Sequence, residues 1–122
     1  MLDHVSFGVG DYQRSKAFYE LTLEPLGVTL VTEAGGALAG FGEGNMPFFL
    51  LHGDRPPAGV PLHYAFTAPD RNAVAAFHGA GLAAGGTDNG GPGLRDYHPS
   101  YYAAFVLDPD GNNIEAVCHK PE

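Results

Sequence analysis

Apolar and polar residues alternate along two short segments, residues 5–9 and 64–68. A period of two is typical of a strand that buries one face. Each segment is followed by an aspartate, Asp11 or Asp70, and then by apolar residues at helical spacing. Because an aspartate caps the first turn of a helix well, the pattern predicts a strand followed by a helix in both places.

These two segments belong to an internal repeat. At a constant offset of 59 residues the identical pairs are His4 and His63, Phe7 and Phe66, Asp11 and Asp70, Ala17 and Ala76, Phe18 and Phe77, and Leu23 and Leu82. The number of matches in so short a span indicates a duplication.

Further strands are predicted over residues 28–32, 37–41 and 47–51 in the first copy, and over 102–107 and 114–118 in the second. A strong turn signal, Asp-Pro-Asp-Gly at 108–111, separates the last two strands. Aligning Gly44-Asn45 with Gly111-Asn112 pairs the closing strands of the two copies. The glycine cluster over residues 85–93 lacks a phosphate-binding motif and predicts a flexible loop.

The predicted fold is therefore α+β, with each copy built as a strand, a helix and then strands. We expect one domain over residues 1–122, made of modules at about 2–52 and 61–119. The linker over 53–61 contains Pro56, Pro57, Gly59 and Pro61, a composition that suits an extended connector.

The charge and composition of the chain disfavour several classes of function. Six Lys and Arg against fourteen Asp and Glu give a net charge of -8, which disfavours binding to nucleic acid or to an anionic membrane. No segment resembles a secretion signal or a membrane span, so we expect a cytoplasmic protein. The single cysteine, Cys118, is expected to be a small buried residue on a strand.

Three residues form a candidate metal site. His4 and His63 take the parity opposite to the buried residues of their strands, so both should face away from the helices. Glu115 lies between Ile114 and Ala116 in a predicted strand, where an uncompensated carboxylate is costly. A divalent cation held by these three side chains resolves that cost; a His–Glu hydrogen bond is the alternative.

The segment from Arg95 to Tyr102 is rich in groups that transfer protons or donate hydrogen bonds. We expect it at the rim of the site, with His98 or Tyr102 as acid or base and Arg95 binding an anionic group of the substrate. Tyr101 is a further candidate for substrate contact. Alternatively, the tyrosines of this segment pack at a dimer interface.

These motifs resemble those of the vicinal-oxygen-chelate superfamily, which includes glyoxalases, bleomycin-resistance proteins and extradiol dioxygenases. The resemblance rests on His-Val-Ser-Phe at 4–7, on Asp11, Ser15 and Phe18-Tyr19, on His63, and on Asp-Pro-Asp-Gly-Asn-Asn-Ile-Glu at 108–115. It implies two tandem βαβββ modules that form a curved mixed sheet around a cleft, and a homodimer that completes each cleft across the subunit boundary.

Carried over by position, the resemblance makes His4, His63 and Glu115 ligands of Fe, Mn, Ni or Zn, with Glu115 also catalytic. The fourth ligand position falls on Phe48 or Phe49, which cannot bind a metal, so Phe48 becomes a candidate substrate contact. This departs from glyoxalase I. The resemblance leaves open a glyoxalase-like lyase or isomerase, an extradiol dioxygenase, and a metal-free dimer that binds a small compound in an acidic groove.

Overall fold

The computed structural model describes every residue from Met1 to Glu122. The elements are β1 (Val5–Gly8), α1 (Tyr12–Leu23), β2 (Thr29–Ala34), β3 (Leu38–Glu43), β4 (Met46–His52), β5 (His63–Thr67), α2 (Arg71–Ala83), β6 (Thr87–Arg95), β7 (Tyr101–Leu107) and β8 (Asn113–Cys118). A 3-10 turn, Glu24–Leu26, follows α1. The order βαβββ therefore occurs twice, which confirms the predicted fold class.

Both helices begin where the sequence predicts. The side chain of Asp11 accepts a hydrogen bond from the backbone N–H of Arg14 at 3.1 Å. Asp70 accepts one from Ala73 at 2.8 Å. Each aspartate thus satisfies one of the N–H groups that an isolated helix leaves unpaired at its start.

Each module contributes one four-stranded mixed sheet, with strand orders β1-β4-β3-β2 and β5-β8-β7-β6. The first strand of each module pairs in parallel with the last, and the other neighbours are antiparallel. Consequently β8 lies between β5 and β7, and a residue on β8 has neighbours from both strands.

A single core joins the modules. Twenty-one buried apolar residues from both repeats form one cluster. Within it, the ring of Phe49 lies 5.3 Å from the ring of Tyr64 and 5.0 Å from that of Phe66. The two sheets are thus held together by apolar contacts as well as by the linker.

One prediction about an element was wrong. The glycine cluster expected to be a flexible loop lies largely within β6, a nine-residue strand. Its pairing with β7 shifts register between Asp88 and Gly90 and again between Gly90 and Gly93. These irregularities hide the alternation by which a strand is recognised in sequence.

The linker runs close to β1. Pro57 forms an isolated parallel bridge with Gly8, and a Cβ atom on Gly8 would lie 2.1 Å from the carbonyl oxygen of Pro56. Only a glycine allows this approach.

No helix in the structure has both the length and the apolar character needed to cross a membrane.

Candidate functional site

The structure brings His63 and Glu115 together on the face of the second sheet that points away from the core. Parallel pairing sets His63 opposite Asn113 and Ala65 opposite Glu115. The Nε2 atom of His63 lies 3.1 Å from Oε1 of Glu115, whose side chain is only 2% exposed while that of His63 is 51% exposed. The pair therefore joins a buried carboxylate to an imidazole that solvent can reach.

Hydrogen bonds fix which nitrogen of His63 carries a proton. Its Nδ1 lies 2.9 Å from the carbonyl oxygen of Asn113, and because a carbonyl only accepts, Nδ1 is the donor. In a neutral ring, Nε2 then presents a lone pair to the carboxylate of Glu115. Two acceptors at 3.1 Å require a proton or a cation between them, and a histidine oriented by a backbone carbonyl is a common arrangement at metal sites.

Tyr101 completes the environment of Glu115. Its hydroxyl donates a hydrogen bond to Oε2 of the carboxylate. Burial, and then the hydrogen bond to Glu115, raise the pKa of Tyr101 to about 12. Tyr101 therefore remains a protonated donor at neutral pH.

Arg95 lies on the same face, with its guanidinium carbon 5.3 Å from the centre of the Phe105 ring. The ring of His63 is 6.3 Å from that of Phe105. Arg95 also donates to the carbonyl oxygens of Gly91 and Gly93, each at 2.8 Å. The site thus has a fixed positive charge held on the backbone of β6.

Rings surround Tyr101 on the exposed side. The ring centres of Tyr97 and His119 each lie 5.1 Å from that of Tyr101, and that of His98 lies 5.9 Å away. His98 is exposed, as its expected place at the rim requires. Tyr97 and His119 are exposed as well, so these rings form a cluster at the surface.

Tyr102 was expected to transfer protons near the metal, and the structure contradicts this. Its neighbour across the ladder is Cys118, whereas Glu115 pairs with Phe105. Because side chains alternate along a strand, Tyr102 lies on the opposite face from Glu115. There it packs against the core, with the guanidinium carbon of Arg71 4.8 Å from its ring centre.

His4 lies apart from His63 and Glu115 within one chain. It is exposed just before β1, and its Nδ1 is 2.7 Å from the carboxylate of Asp3. Within a single chain, no three His, Cys, Asp or Glu side chains converge as a metal site would require. The chain therefore offers two of the three predicted ligands at one point.

A cavity of about 370 Å³ lies beside His4. It opens between the modules, where β1 and β4 approach β5. Its walls include the carboxylates of Asp3 and Glu43 and the rings of Phe48 and Tyr64. Phe48, the expected substrate contact, belongs to this cavity.

The fourth ligand position needs a correction of register. Ala65 lies opposite Glu115 in the second module, and its repeat counterpart Ser6 lies opposite Leu50 in the first. The counterpart of Glu115 is therefore Leu50, and neither Phe48 nor Phe49. Leu50 cannot bind a metal either, so the first module still lacks that ligand.

Sequence reasoning missed the contributions of Phe105 and of the Asn113 carbonyl. Phe105 follows from the pairing of β7 with β8, because the tight turn at 108–112 places it opposite Glu115. The same pairing would have assigned Tyr101, and not Tyr102, to the face of Glu115. The contact of Asn113 with His63 is made by a backbone carbonyl, which every residue has. No feature of the sequence could therefore have predicted it.

Solved structures resemble this chain along its whole length. A glyoxalase/bleomycin resistance protein from Albidiferax ferrireducens is 33% identical, with a TM-score of 0.79, and the match covers 98% of this chain and 99% of that chain. A lactoylglutathione lyase from Agrobacterium tumefaciens is 21% identical, with a TM-score of 0.68, covering 97% of this chain and 92% of that one. The second likeness shows the fold alone.

A glyoxalase I mutant from Zea mays is 24% identical, with a TM-score of 0.68, covering 95% of this chain but 45% of the maize chain. None of the curated proteins matches the chain. The sequence profile of the Glyoxalase/Bleomycin resistance protein/Dioxygenase superfamily matches residues 1–116. This match covers nearly the whole sequence, and the chain therefore belongs to that superfamily.

Proposed function

We propose that the protein is a divalent-metal-dependent enzyme that acts on a small substrate through two neighbouring oxygen atoms. The observation that carries this proposal is the pair formed by His63 and Glu115. Two acceptors 3.1 Å apart, one of them a buried carboxylate, need a positive species between or beside them. A proton or a divalent cation would fill that need, and a bound cation would in addition act as a Lewis acid toward the substrate.

The ligands in this proposal are His63 and Glu115 of one chain and His4 of the partner subunit, in a cytoplasmic homodimer. Membership of the superfamily supports this arrangement, as does the exposure of both His4 and His63 at strands with one free side. Nitrogen and carboxylate donors suit Fe, Mn, Ni or Zn. Such a cation polarises oxygens of the substrate and stabilises negative charge on them.

The chain's own residues assist in defined ways. Tyr101 holds Oε2 of Glu115 and leaves Oε1 directed toward His63. Arg95 attracts and orients an anionic group of the substrate. His98 accepts or returns a proton at the rim. With one ligand position filled by Leu50, a lyase or isomerase and a ring-cleaving dioxygenase are both compatible with the site.

Metal analysis tests the proposal. Protein purified without chelator is expected to carry close to one Fe, Mn, Ni or Zn per chain, or to take one up on reconstitution. The Glu115→Gln variant keeps the shape but loses the charge. Because Glu115 is a direct ligand in this proposal, the variant's metal affinity should fall by more than the roughly 10- to 100-fold that loss of a partner of a ligand costs. Glu20→Gln, an exposed carboxylate on α1, is the matched control and should bind metal like the wild type.

If wild-type protein takes up no metal after reconstitution, the proposed enzyme is wrong. It is also wrong if Glu115→Gln, still folded by circular dichroism, binds metal as tightly as the wild type.

A second candidate function is supported by the cavity beside His4. Two carboxylates and two aromatic rings in about 370 Å³ suit a small organic cation, since both groups attract positive charge. The protein would then bind such a compound without metal. Calorimetry of metal-free protein with small aromatic and aliphatic ammonium compounds tests this, with Glu43→Gln as the weakened variant.

A further inference from the structure

The turn between β7 and β8, residues 108–112, contacts both modules, and we refer to it as the closing turn. Asp108 accepts a hydrogen bond from the hydroxyl of Tyr19 on α1. Asp110 accepts one from the backbone N–H of Gly10, with both oxygens at 3.2 Å. Asn112 accepts one from the N–H of Leu62 at 2.9 Å. One short turn thus connects module 1, the first residue before β5 and the start of β8.

Asp108 is the centre of this turn and is 5% exposed. Its Oδ1 accepts from the N–H groups of Asp110 and Asn112, at 2.9 and 2.8 Å. Its Oδ2 accepts from the hydroxyl of Tyr19 and from Nδ2 of Asn112, the latter at 2.9 Å. Burial raises the pKa of Tyr19 well above its usual value, which keeps that phenol a donor. All four groups around the carboxylate are therefore donors.

This arrangement sets the orientation of the Asn112 amide. An ionised carboxylate only accepts hydrogen bonds, so the nitrogen of the amide must point toward Asp108. The oxygen of the same amide then points the other way, toward the N–H of Leu62. A reversed amide would place two donors against each other at Leu62 and two acceptors against each other at Asp108.

Leu62 immediately precedes His63, so the orientation of the Asn112 amide affects the backbone next to the candidate site. The carbonyl of Leu62 accepts from the N–H of Asn113 at 2.8 Å, and the carbonyl of Asn113 faces Nδ1 of His63 at 2.9 Å. Three hydrogen bonds therefore hold the backbone of Leu62 and the ring of His63 to Asn112 and Asn113. The contact that fixes the protonated nitrogen of His63 is the last of the three.

We propose that Asp108 is a positioning residue for His63: its carboxylate orients the Asn112 amide, which holds Leu62, and this holds the His63 ring with its proton on Nδ1. The proposal rests on the proposed function only in making His63 a ligand. It predicts that an asparagine of the same shape cannot replace the aspartate at the first position of the closing turn.

The test compares two variants of the same turn, Asp108→Asn and Asp110→Asn, in metal-free protein at one fixed pH. In Asp108→Asn an amide nitrogen faces the nitrogen of Asn112, so the Asn112 amide loses its orienting partner. Asp110→Asn keeps an oxygen that accepts from Gly10. Nitrogen-15 spectra of the His63 ring report directly which nitrogen is protonated.

We expect Nδ1 of His63 to be protonated in the wild type and in Asp110→Asn, with a single set of ring shifts. Asp108→Asn should show a mixture of tautomers or averaged ring shifts. Identical His63 spectra in folded Asp108→Asn and wild type would overturn the proposal, and so would an equal change in Asp110→Asn.

If Asp108→Asn does not fold, Asn112→Ala takes its place, because it removes the amide while leaving the carboxylate. It is expected to change the His63 ring in the same way, and unchanged spectra in that variant overturn the proposal. A metal measurement separates this inference from the proposed function. Zn²⁺ affinity should fall about tenfold in Asp108→Asn and stay unchanged in Asp110→Asn, whereas a wild type that binds no Zn²⁺ contradicts only the enzyme.

Discussion

Glu115 shows how one strand position determines the chemistry of the site. Its carboxylate is 2% exposed and has a hydroxyl donor on one oxygen and an imidazole near the other. Strand parity in the sequence predicted an inward carboxylate, because Ile114 and Ala116 take the opposite face. The identity of its donor was not predictable in the same way, since Tyr101 and Tyr102 are adjacent and chemically alike.

Removing the hydroxyl of Tyr101 should change the stability of the protein at alkaline pH. The pKa of Tyr101 is raised from 10.0 to about 12 by burial and by Glu115, so the folded state holds this proton more tightly than the unfolded state. That contribution is fully present below pH about 10 and is lost as pH rises toward about 12. The free energy of unfolding of the wild type should therefore fall more steeply in this range than that of Tyr101→Phe.

Urea unfolding at several pH values between about 9 and about 11.5 measures this difference. Tyr12 is a matched control, because burial and Glu33 raise its pKa to about 12 as well. Tyr12→Phe should remove a similar alkaline loss without affecting metal binding. If the free energy of unfolding depends on pH in the same way in the wild type and in Tyr101→Phe, the raised pKa of Tyr101 in the folded state is contradicted.

At the scale of elements, the sequence predicted both helices, both first strands and both closing strands, but not β6. The successful predictions rest on local signals: the aspartate caps, the periodicity of apolar residues and the tight turn at 108–111. By contrast, β6 owes its order to pairing with β7, which no window of its own sequence encodes. Likewise, the pairing of β4 with β1 determines their register. It places Leu50, and not Phe48, opposite Ser6, the repeat counterpart of Ala65.

The approach of the linker to β1 predicts a strong effect of a single methyl group. In Gly8→Ala the new Cβ would meet the backbone oxygen of Pro56 at 2.1 Å, and the backbone must move to relieve the overlap. We expect a loss of about 1–3 kcal/mol in the free energy of unfolding. Gly59→Ala, in the same linker with no atom within 4 Å of its added Cβ, should change it by less than about 0.5 kcal/mol.

Chemical denaturation of the two variants beside the wild type provides the measurement. Equal stability of Gly8→Ala and Gly59→Ala would mean that the linker does not press on β1 in solution.

At the scale of the whole molecule, the duplication visible in the sequence predicted two modules of the same build, and the resemblance to the superfamily implied their βαβββ order. The duplication was not sufficient to predict where His4 lies relative to His63, because a repeat defines each module but not the packing of one against the other. The structure joins the modules through aromatic contacts of Phe49 with Tyr64 and Phe66. Only two of the three predicted ligands meet within one chain.

A mixing experiment tests whether a second chain supplies the third ligand. Neither His4→Ala nor His63→Ala alone should bind metal well. In a mixed dimer, one site has lost both histidines and the other has kept both, so unfolding and refolding the two variants together should restore about a quarter of the wild-type sites. The mass in solution should be twice the 12.8 kDa of the chain, as light scattering measures.

If all ligands came from one chain, mixing would restore nothing, and the shared site would be wrong. A monomer at micromolar concentration would contradict it as well.

The bulges and the linker have a consequence for association between copies. The outer strands β2 and β6 both break register, and β6 contains Pro92, which has no N–H to offer a new strand. The linker covers the end of β1 at Gly8. Regular backbone that another strand could pair with remains along the start of β1 and along β5. Because both stretches are short, growth of a fibre by edge-to-edge pairing of many copies is disfavoured.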